Sequence, residues 1–246
     1  MMRQLIRGFV AAVVVAGMFG ATAASAQGGL NLSWDDCGLN GNADAAFVCN
    51  TNAGTAFNLF ASVSTGTALT TFVGTAAVFD IQSETSTLPL WWGYGACRLS
   101  TSLTAAPAAG VTTCPDITDN PQFGGIDYAI AFESNANRSR LRTAYAMDAG
   151  LAGALPTGTE YTLMQITINR NRTTGVGSCA GCATPMCIVF NSVLLDQVDI
   201  TTTPVLVTQP LQRRHVTWQG APTGFTCPDA VPTKSRTWGQ LKSLYR

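Results

Sequence analysis

Two stretches of the chain alternate apolar and polar residues with a period of two. Ile126, Tyr128, Ile130 and Phe132 alternate with Asp127, Ala129, Ala131 and Glu133, and Met164, Ile166 and Ile168 alternate with Gln165, Thr167 and Asn169. A strand sends successive side chains to opposite faces, so each stretch reads as a strand with one face on a core and the other toward water. Ile188 to Phe190 and Val193 to Leu195 are apolar on both faces, as in a central strand, and Asn191-Ser192 interrupts them. Together with weaker patterns, this predicts strands near 29–35, 56–63, 70–82, 89–95, 126–133, 140–147, 160–169, 187–196, 204–208 and 214–218, separated by Gly, Pro, Asn and Thr clusters. Residues 97–125 lack periodicity and read as one long connection. No repeat or low-complexity linker divides the chain, so the pattern predicts one all-β domain over 27–226, an antiparallel β-sandwich.

Charge placement adds a register. From Gln27 to Asn137 there are nine acids and one base, Arg98, for a net −8, and from Arg138 to Arg246 eleven bases and five acids, for a net +6. One reading is a bipolar molecule that associates head to tail. The other makes the acidic and basic strands neighbours in one sheet. A turn over Ser134 to Ser139 sets Glu133 opposite Arg140 and Ala131 opposite Arg142, with Leu141, Thr143, Tyr145 and Met147 on the core side. That fit favours pairing within the molecule.

Composition narrows the class. Of 246 residues, 46% are apolar and only 11% charged, against about a quarter charged in ordinary domains. A nucleic-acid binder driven by excess basic charge and a charged disordered chain are both excluded. The 32 threonines and 24 glycines suit strands and turns. Arg3 and Arg7, the apolar stretch Phe9 to Phe19, and Ala24-Ser25-Ala26 read as a signal peptide over 1–26, with the mature chain starting at Gln27. An uncleaved anchor is the alternative, but the apolar stretch falls short of the ~20 residues a bilayer span needs. The expected location is secreted, periplasmic or cell-surface.

All eight cysteines lie after the leader: Cys37, Cys49, Cys97, Cys114, Cys179, Cys182, Cys187 and Cys227. In an exported chain an even count reads as a disulfide framework. Short loops suggest Cys37–Cys49 and Cys97–Cys114, leaving the last four to pair among themselves, with Cys227 tying the C-terminal segment to the 179–187 loop. Cys179-Ala-Gly-Cys182 also admits a redox site or a zinc site that recruits Cys187 and either Cys227 or His215. The β-branched run after it does not supply the helix a redox site uses, and the spacing matches no paired-ligand signature.

Candidate chemistry is sparse. Trp91 and Trp92, with Tyr94 beyond Gly93, sit on an expected strand whose neighbours point to opposite faces, so one ring can be exposed to stack on a sugar. The alternative is that all three cover core. Asp35, Asp36 and Asp44, with Asn40 and Asn42 between them, carry hard oxygen ligands at spacings a calcium ion would use, or form a solvated polar turn. A single histidine, His215, and three glutamates, Glu84, Glu133 and Glu160, leave little for a hydrolytic site, and no glycine-rich phosphate loop precedes a helix. The chain is therefore read as non-catalytic, a binding or structural protein for a polysaccharide or another cell-surface protein. A carbohydrate-binding module is the first alternative and an extracytoplasmic hydrolase the second. After the proline-broken stretch from Cys227, residues 237–246 predict a short C-terminal helix capped by Thr237, with Trp238, Leu241, Leu244 and Tyr245 along one face. It either docks on the sandwich or meets a partner, secretion machinery or a membrane surface.

Val78-Phe-Asp-Ile-Gln82 ahead of Leu90-Trp91-Trp92, and Tyr161 to Ile168 ahead of Ile188 to Asp196, resemble the strand pattern of cohesin-like bacterial β-sandwiches. An early Trp34-Asp-Asp-Cys37 and a terminal Thr237-Trp-Gly-Gln-Leu-Lys-Ser-Leu-Tyr-Arg246 are similar to exported bacterial proteins with a WxxC segment and a TWGxxKxLYR tail. The resemblance implies a cohesin-like or jelly-roll-like sandwich that binds rather than catalyses. It carries no cofactor and no site residue onto this chain.

Overall fold

A computed structural model describes residues 28–108, 110–199, 203–220 and 227. The expected signal peptide and the expected C-terminal helix with Trp238, Leu241, Leu244 and Tyr245 lie outside the described residues. No helix of the described chain is long and apolar enough to cross a membrane.

Among the described residues twelve strands form two sheets, and the all-β expectation holds. The elements are β1 (Gly29–Trp34), β2 (Asp44–Ala45), β3 (Phe57–Ser64), β4 (Leu69–Ser83), β5 (Leu103–Ala106), β6 (Phe123–Ile130), β7 (Arg138–Ala146), β8 (Gly153–Leu155), β9 (Glu160–Ile168), β10 (Met186–Gln197), β11 (Val205–Val207) and β12 (His215–Trp218). The smaller sheet has the order β1-β3-β9-β5. The larger runs β2-β12-β10-β4-β7-β6, with β11 added to β10 and β8 to β4. All pairings are antiparallel except β12 with β2.

Period-two side chains put the core between the sheets. Leu30, Leu32 and Trp34 of β1 stand opposite Val63, Ala61 and Leu59 of β3, and all six are buried. In the larger sheet Phe79 of β4 stacks on Phe190 of β10, 4.6 Å between ring centres. The run apolar on both faces is central, as expected, and its Asn191-Ser192 interruption is a β-bulge between Phe190 and Ser192. Trp218 is the hub of an aromatic cluster, with Phe47, Phe57, Trp91 and Trp92 at 4.5–5.3 Å between ring centres.

Four disulfides staple this core: Cys37–Cys114, Cys49–Cys182, Cys97–Cys179 and Cys187–Cys227. The expected pairs Cys37–Cys49 and Cys97–Cys114 are not formed, nor do the last four cysteines pair only among themselves, because Cys37, Cys49 and Cys97 each join a loop distant in sequence, Cys49 and Cys97 taking Cys182 and Cys179. Cys227 does tie the C-terminal segment to Cys187. Cys179 and Cys182 are both bonded to other segments, which removes the zinc and redox readings of that tetrapeptide.

The β6–β7 hairpin keeps the expected faces but not the expected register. Asp127 stands opposite Arg142 and Ala129 opposite Arg140, a four-residue slip that preserves which side each residue faces. Ala131, Glu133 and Ser134 adopt left-handed backbone angles, so β6 ends at Ile130 and Glu133 leaves the sheet. Arg140 meets Asp80 of β4 instead, through Nε at 2.5 Å, while Phe132 folds back with its ring 3.7 Å from the guanidinium.

Candidate functional site

The two sheets part on one side of the sandwich, between edge strands β5 and β6. A groove of about 490 Å³ runs there, lined by Leu103 and Ala105 of β5, Ile126 and Asp127 of β6, and Tyr94, Tyr128 and Tyr145. β6 pairs only with β7 among the described residues. Its inner-facing Ile126 and Ile130 remain 37% and 41% exposed, and Phe123 is 76% exposed.

The floor of the groove is polar but closed. The Tyr94 and Tyr128 rings meet edge to face at 5.0 Å. The Tyr128 hydroxyl donates to the Trp92 carbonyl at 2.8 Å and lies 2.6 Å from the Ser139 hydroxyl. The Tyr145 hydroxyl donates to the Ala105 carbonyl and ties β7 to β5 across the sheets. Burial pushes the Tyr94, Tyr128 and Tyr145 hydroxyls above the ordinary tyrosine range, so all three stay neutral near neutral pH.

Behind Tyr94 lies Arg98, 1% exposed. Its guanidinium carbon stands 3.9 Å over the Trp91 ring and 5.0 Å from that of Tyr94. Its N–H groups donate to the Asn171 Oδ1 at 3.1 Å, to the Trp91 carbonyl at 3.3 Å, and to the Asn169 carbonyl and Oδ1. Burial lowers its pKa from the usual value, the nearby Tyr94 acting in the opposite sense. Neutral acceptors and ring faces hold this cation, and in return it fixes the turn that carries Tyr94.

That turn corrects the expected strand over 89–95. Leu90–Trp92 form one turn of 3₁₀ helix after Pro89, which rotates successive side chains by about 120° instead of alternating them. Trp91, Trp92 and Tyr94 are all buried, so none presents a free ring face to a sugar. The Trp91 indole N–H donates to the Thr173 hydroxyl at 3.1 Å, while the Trp92 Nε1 is buried without a partner among the described residues.

The acidic residues near the first disulfide serve the loop. The Asp36 Oδ1 accepts from the Cys37 amide at 2.7 Å, the Thr113 amide at 2.8 Å and the Thr113 hydroxyl at 3.2 Å. The Asp44 Oδ1 accepts from the Thr217 hydroxyl at 2.6 Å, and Asp35 is exposed. Among the described residues no three metal-ligating side chains converge. Glu160 is bound to the smaller sheet, accepting from the Asn31 Nδ2 at 2.8 Å and the Ser62 hydroxyl at 2.6 Å. His215 opens β12, opposite Val189 of β10.

The sequence reading missed the groove, because β5 falls inside the stretch read as a connection. The available signal was four residues long, Leu103 and Ala105 buried against Thr104 and Ala106 exposed. No protein-family model, no curated protein and no solved structure matches the chain significantly.

Proposed function

We propose that this protein is a non-catalytic binding or structural β-sandwich acting outside the cytoplasm, and that it takes an extended apolar polypeptide segment along the groove between β5 and β6. The observation that carries this reading is the β6 edge. It is eight residues long and unpaired on one side among the described residues, with Ile126 half-exposed in the groove and Ile130 half-exposed farther along the strand. An unguarded edge of this kind accepts a further strand, main-chain bonds giving affinity and alternate side chains giving specificity. Four closed disulfides fit an oxidising compartment, and the leader-like first 26 residues support export.

The test uses labelled protein from residue 27 onward and the envelope fraction of the cells that produce it. Saturable binding is expected, abolished by protease treatment of the envelope and weakened about tenfold by Ile126→Lys or Ile130→Lys. Binding that survives proteolysis, is unchanged in both variants, or never saturates overturns the proposal.

A further inference from the structure

We infer that the strand β6 accepts is β6 of a second copy, in an antiparallel pair centred on Ile126, an inference that rests on the binding surface just proposed. Edge strands are normally guarded by Pro, Lys, bulges or covering segments. Among the described residues β6 has none of these, and its single acidic side chain, Asp127, is already paired with Arg142 on its own neighbour at 3.0 Å.

Two glycines make the edge self-complementary. Gly124 is required within one copy, since a Cβ there would lie 1.9 Å from the Ala144 carbonyl oxygen. Gly125 is not. Its backbone is not left-handed, and a Cβ would meet nothing within 4 Å. Glycine weakens a strand interior unless another backbone or side chain must come close, and among the described residues of one copy nothing comes close.

A twofold axis normal to the larger sheet continues that sheet and keeps paired residues on one face. Only centres at Ile126 or Asp127 overlap nearly the whole strand. Centring on Asp127 sets two carboxylates directly opposite, which is repulsive. Centring on Ile126 sets Ile126 against Ile126 of the second copy, Phe123 against Ala129 and Gly124 against Tyr128. Asp127 then faces the bare Gly125 and keeps Arg142. The half-exposed Ile126 side chains of both copies cover the mouths of the two grooves, and the net charge of the strand raises no barrier to pairing.

Sedimentation of the protein from residue 27 onward, over micromolar to sub-millimolar concentration, tests this. A reversible dimer is expected, weakened about tenfold by Ile126→Lys, which sets like charges opposite each other. Position 125 supplies an independent pair of variants that a single copy tolerates. Gly125→Glu, facing Asp127 of the second copy, weakens the dimer, and Gly125→Lys tightens it. After mild oxidation of the folded protein, Ile126→Cys links two copies and Asp127→Cys does not. A monomer at every concentration, a dimer indifferent to the position-125 charge, or equal linking by both cysteines overturns the inference. A monomer that still binds the envelope through Ile126 refutes self-pairing and leaves the binding surface standing, whereas a dimer with no envelope binding supports self-pairing and overturns the envelope partner.

Discussion

The two sides of the sandwich deal with a sheet edge in opposite ways. On the β1 side the outward backbone groups are all used. Leu30 donates its amide to the Gln209 carbonyl, Leu32 to that of Arg213 and Trp34 to that of Asn42, each at 2.8–2.9 Å. The segment that supplies the first two partners then enters β12, so the chain itself bridges the two sheets. The Arg213 side chain completes the seal by donating to the carbonyls of Leu32, Gly38 and Gly41. On the β6 side nothing among the described residues covers the strand. One fold therefore carries a sealed edge and an open one, and only the open edge has backbone to offer a partner.

Removing a staple gives the largest effect. Cys97–Cys179 pins the turn that carries Trp91, Trp92 and Tyr94, the floor of the open side, across 82 residues of sequence. Loss of the constraint on the unfolded chain costs about 4–5 kcal/mol in the chain-entropy account. The variant Cys97→Ser/Cys179→Ser is expected to show that loss in its denaturant midpoint. A midpoint close to wild type means that Arg98 and the aromatic cluster hold the turn unaided.

The contrast between the edges is tested by one substitution on each. Asn31, fully buried on the sealed side, donates to Glu160 and Gln212 and accepts the amides of Gln212 and Arg213 at 3.0 and 2.8 Å. Asn31→Ala strands these partners and is expected to destabilise by about 3 kcal/mol. Ile126→Lys on the open edge should cost about 0.5 kcal/mol or less in the monomer. Chemical denaturation of both at low concentration decides the matter, and equal costs would mean that the open edge contributes to the fold no less than the sealed one.

These contrasts show what the sequence could reveal. Period-two alternation marked β9, and the run apolar on both faces marked β10, because burial on one face or two leaves a local imprint. Face assignment in the β6–β7 hairpin was also legible, since any even slip preserves it, but the register was not. It depends on the left-handed backbone at Ala131, Glu133 and Ser134 and on Asp80, a partner outside the hairpin. The disulfide pairs were illegible for a related reason. Loop length is a local property, whereas Cys49–Cys182 and Cys97–Cys179 follow from two distant loops meeting on the aromatic cluster. The strand expected over Trp91 and Trp92 failed because a 3₁₀ turn and a strand differ by a backbone rotation that a tryptophan pair does not encode, whereas the reading that both rings cover core holds. The groove escaped because one of its walls, β5, is four residues long.

Two arginine–aspartate pairs, Arg140–Asp80 and Arg142–Asp127, sharpen the comparison at smaller magnitude. Arg140 and Asp80 are 7% and 13% exposed, with Asn191 also donating to Asp80, whereas Arg142 and Asp127 at the open edge are 47% and 65% exposed. Asp80→Ala leaves a buried guanidinium without its carboxylate and should cost about 3 kcal/mol. Asp127→Ala should cost about 0.5 kcal/mol. Thermal melts of the two variants check this ordering, and its reversal would show that the open edge depends on its surface ion pair.

The smallest effect is on the sealed side and depends on pH. Burial opposes the charge on Asp36, but the hydrogen bonds from the Thr113 amide, the Cys37 amide and the Thr113 hydroxyl outweigh it and hold the carboxyl below its usual value. A carboxylate with a depressed native pKa adds stability that is fully present above its unfolded pKa, about 4. That stability is lost as the pH falls through the lower native value. Asp36→Asn keeps an acceptor oxygen but not the charge, so the gap in melting temperature between wild type and variant should be widest near neutral pH and close below about pH 4. A gap that stays constant across this range would show that the Asp36 charge contributes nothing to holding the Cys37 and Thr113 segments together, leaving that task to the Cys37–Cys114 disulfide and to uncharged hydrogen bonds such as that from Asn40 to the Thr113 hydroxyl.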